Sequence, residues 1–307
     1  MSTELYKYLM EYAHDNSSET IQYCTCEGGC SHPSGKCPSG NAKCYQQGNC
    51  CFNEIYYPEG RENARLKYNC KKLVNQYVFR SLDRYASEIY YALEEYSSVL
   101  NYFENYNLLS IGCGPATDLV GVDYYNKINR INKSINYFGI DIEKTWKEIH
   151  KNIEKFLLKE NNINKFEICY CDAINFFRDN FIYVTNINII ILNYLISSFI
   201  ADNNAAKINE LFYYITNFIS KNKIKNCLIV INDVNYHLRG INSFKNILQI
   251  LNDNSISIFS FKQKYFSGST FGEKYSHSRT VFGHPVFSSN FCTSAQLLIN
   301  CGVQNDN

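Results

Sequence analysis

Residues 107–119 read NLLSIGCGPATDL, and this stretch constrains the fold more than any other. Leu108, Leu109 and Ile111 form a short apolar run that stops at Gly112-Cys113-Gly114-Pro115. An apolar run closed by glycines and followed by helix-compatible residues is the pattern of a buried strand, a tight turn and a helix start. Glycines in such a turn let the main chain approach a ligand, and the helix N-terminus beyond it offers unpaired N–H groups. A dinucleotide-binding turn needs glycines at its first, third and sixth positions. Here Gly112 and Gly114 are followed by Thr117, with Pro115 inside the turn, a poor fit to a nicotinamide dinucleotide.

Strand and helix patterns alternate along the rest of the chain. Residues 117–126 read as a helix, residues 136–140 as a second strand ending in Asp141, Ile142 and Glu143. A helix is predicted over 143–159, with Trp146, Ile149, Ile153, Phe156 and Leu157 on one face. Residues 166–171 read as a third strand followed by Asp172-Ala173, and residues 187–192 as a fourth opening into Asn193-Tyr194. A helix over 205–220 leads to a fifth strand, 227–231, ending in Asn232-Asp233. Strands apolar on both faces and alternating with helices predict an α/β fold with a doubly wound, mostly parallel sheet. Ligands of such sheets sit beyond the carboxyl ends of the strands. Gly112, Gly114, Asp141, Asp172, Asn193 and Asp233 all fall at those ends. Residues 255–266, 280–287 and 295–299 supply three more candidate strands. The segment 268–285, with His277, Arg279 and His284, reads as a hairpin loop or as an insertion facing substrate.

On these residues the chain resembles the class I S-adenosylmethionine (SAM)-dependent methyltransferases, which have a Rossmann-like sheet of this kind. Gly112-Cys113-Gly114-Pro115 matches the start of that family's glycine loop, and Ala116 stands where a third glycine is common. The resemblance implies that Gly112, Cys113, Gly114, Asp118, Asp141, Ile142, Asp172, Ala173 and Asn193 surround the cofactor. Asp141 would accept hydrogen bonds from both ribose hydroxyls, a task suited to a group that only accepts and can do so twice. Its plainer reading is the N-cap of the helix beginning near Lys144. Asp172-Ala173 would meet the adenine amino group. Asn193, Tyr194, Asp233, Tyr236 and His237 are expected near the methyl group, with Asn193, Tyr194 and His237 the catalytic candidates. His237 titrates in the range a general base needs, or is a loop residue without chemistry. The nucleic-acid amino methyltransferases carry Asn or Asp, two prolines and an aromatic residue here. Asn193-Tyr194-Leu195-Ile196 lacks the prolines, so base amino methylation loses support.

Charge and cysteines complete the reading. The 307 residues carry 30 Lys and Arg against 29 Asp and Glu, a net +1, so no broad basic field drives nonspecific nucleic-acid binding. The opening MSTELYKYLMEYAHD puts charges where the apolar core of a signal peptide would lie. The longest apolar run, 187–200, is interrupted by Asn188, Asn193, Ser197 and Ser198 and is too short to span a bilayer. The expectation is a cytoplasmic protein with no membrane partner. Of fourteen cysteines, Cys24, Cys26, Cys30, Cys37, Cys44, Cys50 and Cys51 crowd together among Gly, Ser and Pro. In a reducing compartment that density predicts metal: a structural Zn²⁺ held by thiolates, with or without His32, or alternatively an iron–sulfur cluster. A disulfide-rich or disordered tail is the plainer reading.

The organisation predicted is therefore a cysteine-rich metal module over 1–61, with a short helix at 4–14, a helical lead-in over 62–106 and a SAM-binding domain over 107–307. In the lead-in, Leu66, Leu73, Val74, Tyr77, Val78, Leu82, Tyr85, Ile89, Tyr90, Leu93 and Tyr96 recur at helical spacing, with a break near Ser81. The tyrosine stripe reads mainly as packing. The function implied is methyl transfer from SAM, with RNA the favoured acceptor because some RNA-modifying enzymes join a metal module to this fold. A small-molecule or protein methyltransferase and a noncatalytic SAM-binding or partner-docking protein are the alternatives.

Overall fold

The computed structural model describes residues 3–18, 71–159, 163–179, 186–201, 206–234, 243–265 and 294–303. Helix α1 (Glu4–Ser18) and the long α2 (Lys71–Glu95) precede a helical turn, α3 (Ser97–Leu100), and the first strand, β1 (Tyr106–Ile111). Then come α4 (Thr117–Ile128), β2 (Ile135–Ile140), α5 (Lys147–Leu157), β3 (Ile163–Cys169), α6 (Ala173–Asp179) and β4 (Ile189–Asn193). After α7 (Ile196–Ala201) and α8 (Ala206–Lys221), β5 (Cys227–Val234), α9 (Ser243–Asp253), β6 (Ser257–Tyr265) and β7 (Ser294–Gly302) complete the order.

The sheet has seven strands in the order β3-β2-β1-β4-β5-β7-β6. β3, β2, β1, β4 and β5 run parallel, and β7 is antiparallel to both β5 and β6. The order reverses between β1 and β4, which opens a crevice at their carboxyl ends. Leu108, Leu109, Ile111 and Ile189 to Leu192 are wholly buried, because a central parallel strand has helices on both sides. Alternate side chains divide between two cores. Leu108, Ile189, Ile191, Leu228, Val230 and Leu298 pack with α1, α2, α4 and α5. Leu109, Ile111, Ile190, Leu192, Ile229, Ile231 and Leu297 pack with α6, α8 and α9. Leu5 and Leu9 of α1 lie in the first of these cores, together with Leu82 and Ile89 of α2.

Three local details differ from the sequence reading. α2 runs unbroken through Ser81, which is buried, because Val78, Leu82 and Tyr85 carry the apolar face across it. β3 ends at Cys169 rather than Cys171. Its partner β2 stops at Ile140, and the last bond of the pair is Asp141 N–H to the Cys169 carbonyl at 3.0 Å. The helix expected over 143–159 opens as a 3₁₀ turn, Lys144–Trp146, before α5. The candidate strand over 280–287, with His277, Arg279 and His284, lies outside the described residues.

Candidate functional site

The glycine loop turns on two residues in left-handed backbone, Gly112 at φ +67° and Gly114 at φ +50°. Gly112 and Cys113 both donate their N–H groups to the Ile140 carbonyl, at 2.8 and 3.0 Å, so the loop is stitched to the end of β2. A side-chain carbon placed on Gly112 would come within 2.9 Å of Leu195 Cδ1, whereas one on Gly114 would meet nothing within 4 Å. Gly114 therefore faces the open crevice. The Cys113 side chain is buried, which leaves only its main chain for a ligand.

Gly114 is held from both sides of its own residue. Its N–H donates to Asp141 Oδ2 at 2.7 Å. Its carbonyl accepts from His150 Nε2 at 2.7 Å. The other ring nitrogen of His150 lies 2.7 Å from the Tyr170 hydroxyl. Burial pushes the imidazole down to about 4, so His150 is neutral, donating through Nε2 and accepting from Tyr170 through Nδ1. Burial likewise pushes the Asp141 carboxyl up to about 6, against the pull of the Glu143 and Gly114 N–H groups. Asp141 Oδ1 accepts the Glu143 N–H at 2.7 Å, an Asx turn opening the 3₁₀ segment. The local-capping reading and the crevice position thus coincide in one side chain.

The remaining cofactor candidates spread along the same edge. Ile142, next to Asp141, is 53% exposed, an apolar side chain at the lip of the crevice. Asp172 Oδ1 accepts the Asn175 N–H at 3.1 Å and so caps α6, with Ala173 half-buried beside it. Tyr170 and Asp172 flank Cys171, whose sulfur lies 3.2 Å from that of Cys169. Asp118 is placed differently: it is 1% exposed and accepts the Tyr137 hydroxyl at 2.9 Å inside the core between α4 and β2. Asp233 spends both carboxylate oxygens on the Ser197 N–H, at 3.2 and 3.1 Å, at the start of α7.

At the end of β4, Tyr194 adopts φ +59°, an uncommon strain for an aromatic residue and one that clusters at functional sites. Its hydroxyl lies 3.0 Å from Glu88 Oε1 and accepts from Arg84 Nη2 at 2.8 Å. Tyr194 packs on Tyr85 with ring centres 4.3 Å apart, and Tyr85 meets Tyr77 at 6.0 Å and Tyr77 meets Trp146 at 5.5 Å. A row of aromatic rings carried largely by α2 therefore runs from beyond β2 to the end of β4. Asn193, the neighbouring candidate, is half-buried, with its Oδ1 unpartnered.

Arg84, Glu88, His150 and Tyr170 were invisible as site residues in the sequence. They carry no motif, and they reach the crevice from helices and a strand end. Tyr236 and His237 lie outside the described residues, as do Cys24, Cys26, Cys30, His32, Cys37, Cys44, Cys50 and Cys51. Among the described residues, no group of three or more His, Cys, Asp or Glu is arranged to hold a metal ion. Also among them, no helix is long and apolar enough to cross a membrane.

Crevice, glycine loop and strand order together define a class I methyltransferase-type Rossmann-like fold. A solved structure of a putative class I SAM-dependent methyltransferase from Listeria monocytogenes matches with a TM-score of 0.50. The match covers 99% of this chain and 90% of that one, at 10% identity. The plantazolicin methyltransferase BpumL, solved with S-adenosylhomocysteine (SAH), matches at a TM-score of 0.47 and 14% identity, over 83% of this chain and 94% of that one. A SAM-dependent methyltransferase from Methanosarcina mazei matches at a TM-score of 0.40 and 12% identity, over 67% and 96%. No family model and no curated protein sequence matches the chain.

Proposed function

We propose that the protein is a SAM-dependent methyltransferase. The single observation that carries this reading is the pairing of Asp141 with Gly114 at the carboxyl ends of β2 and β1, beside the switch point of the sheet. It brings a buried carboxylate, an open glycine turn and the exposed Ile142 to one crevice. The residues fit the cofactor. Asp141 would take the ribose hydroxyls, Gly112 and Gly114 would let the main chain close on the cofactor, and Ile142 with Asp172 and Ala173 would flank the adenine. Bound SAM supplies an electrophilic methyl group on a sulfonium sulfur. The protein's part is then to orient the acceptor and exclude water, tasks that fall to Asn193, Tyr194 and the aromatic row from Trp146 to Tyr85.

Calorimetry with SAH and transfer of labelled methyl from SAM test the two halves of the reading. SAH is expected to bind, and one of the RNA, protein or small-molecule fractions of a cell extract is expected to take up label. Label in RNA would support the acceptor favoured by the sequence; label elsewhere would support the small-molecule or protein alternative. SAH binding with no labelled fraction would leave a noncatalytic SAM-binding protein, and no SAH binding would end the proposal. The structural Zn²⁺ on the cysteines of residues 24–51 rests on the sequence alone. Less than one equivalent of zinc or iron in protein purified without chelator would remove it.

A further inference from the structure

We propose that the methyl acceptor is an amine, held through its N–H groups by the Glu88 carboxylate where β4, β5 and β7 lie side by side; this rests on the methyltransferase reading above. Asn193 is opposite Asn232 in the β4–β5 pair, and Asn232 is opposite Gln296 in the β5–β7 pair. By strand alternation Asn193 shares a face with Ile189 and Ile191, Asn232 with Leu228 and Val230, and Gln296 with Leu298. That is the face covered by α2. Three carboxamides thus form a row beneath α2, tied to it where Gln296 Nε2 donates to the Glu88 carbonyl at 3.2 Å and to Asn232 Oδ1 at 2.8 Å. The Glu88 side chain is 1% exposed, and its Oε1 accepts from Arg84 Nε at 3.1 Å and lies 3.0 Å from the Tyr194 hydroxyl.

The cluster is left short of donors. Glu88 Oε2, Asn193 Oδ1 and Gln296 Oε1 are buried acceptors without a partner, against one buried donor group without a partner, Asn232 Nδ2. Buried polar groups are almost always paired, and an orphan is costly, so such a concentration marks a place that something else completes. A hydroxyl brings one donor and adds lone pairs. An amine in its ammonium form brings three donors and a positive charge. The wall beside the cluster already holds a cation, since the Arg84 guanidinium lies 5.5 Å from the Tyr194 ring centre and 6.0 Å from that of Tyr85. A carboxylate beside aromatic faces is the chemistry that recognises an ammonium group.

The reaction balances with these groups. The ammonium gives one proton to Glu88 Oε2, which frees the nitrogen lone pair. That pair forms the N–C bond to the methyl group of SAM as the C–S bond breaks, its electrons going to sulfur. Glu88 then returns its proton to water.

The test uses the full chain, SAM carrying a ¹³C-methyl group and an extract of its source cells, with the products read by ¹H–¹³C correlation NMR. The methyl carbon shift separates attachment to nitrogen, oxygen, sulfur and carbon. The expected result is an enzyme-dependent N-methyl signal. Its rate of appearance should fall about tenfold to a hundredfold in Glu88→Gln and less in Glu88→Asp, with SAH affinity unchanged within about twofold. A methyl group on oxygen, sulfur or carbon overturns the amine proposal while leaving the methyltransferase reading intact. So does N-methylation by Glu88→Gln at the wild-type rate. SAH binding with no transferred methyl ends both.

Discussion

The Gly114 N–H donates to Asp141 Oδ2 at 2.7 Å, binding the turn of the glycine loop to the carboxylate that ends the neighbouring strand. One group therefore both shapes the loop and faces the crevice. Because burial raises its carboxyl to about 6, Asp141 is a group of the site that titrates near neutral pH. Ribose hydroxyls donate to the ionised form, so binding favours loss of its proton. SAH affinity should be level above about pH 6.5 and fall toward tenfold per unit below about pH 5.5. Calorimetry between pH 5 and 8 checks this, and Asp141→Asn should bind weakly without the pH dependence.

His150 is shifted the other way, downward, and its effect is on stability. Its folded value is pushed by burial below the ordinary histidine value, so the unfolded chain takes up a proton that the native state refuses. Its contribution is present above about pH 6.5 and lost as the pH falls toward about 4, at most about 3 kcal/mol over that window. His150→Phe should cost about 2–4 kcal/mol at pH 7.5 by leaving the Gly114 carbonyl and Tyr170 hydroxyl unpaired. The penalty should shrink by pH 5. Denaturant unfolding at the two pH values measures the difference, and SAH affinity should drop about tenfold as the loop loses its anchor.

The two loop glycines should separate by assay. Gly112→Ala adds a carbon that crowds Leu195 at 2.9 Å in left-handed backbone, and should cost about 2 kcal/mol or more in stability. Gly114→Ala meets no neighbour, so its cost is the backbone strain alone, about 1 kcal/mol. The added methyl projects into the crevice, and SAH binding should suffer far more than the melting temperature. Equal loss of binding per unit of lost stability in the two variants would refute this separation.

Glu95 provides a remote control. It bridges α2 to β6 through Lys262 and, at 2.8 Å, Lys264, and those hydrogen bonds hold its carboxyl below the ordinary value. Its stabilisation is present above about pH 4.5 and is lost as the pH falls through the lowered value. Glu95→Gln should cost about 1 kcal/mol or less at neutral pH, because the pair is partly exposed. SAH affinity should not change.

Much of the architecture was written locally. The apolar run at Leu108–Ile111 closed by Gly112, the amphipathic face of Ile149, Ile153 and Leu157, and the acidic residue after Ile140 are all short-range patterns. Strand and helix periods depend on near neighbours, so the α/β alternation and the crevice-edge positions of Asp141, Asp172 and Asn193 were legible. The end of β3 was not, because Cys169 is its last residue only where β2 stops at Ile140. Asp118 shows the same limit: its sequence position suits the glycine loop, yet it turns inward to Tyr137.

By itself the sequence determined the alternation of strands and helices and that polar groups gather at one end of the sheet, because burial periodicity is encoded residue by residue. Tertiary structure alone decided that His150 and Asp141 would grip Gly114 from opposite sides, and that Gln296 of β7 would join Glu88 of α2 to Asn232 of β5, with Asn193 of β4 opposite Asn232. Those contacts join residues up to 208 positions apart, as Glu88 and Gln296 are. No local period carries such a separation; it emerges only when the sheet order and the packing of α2 are set together.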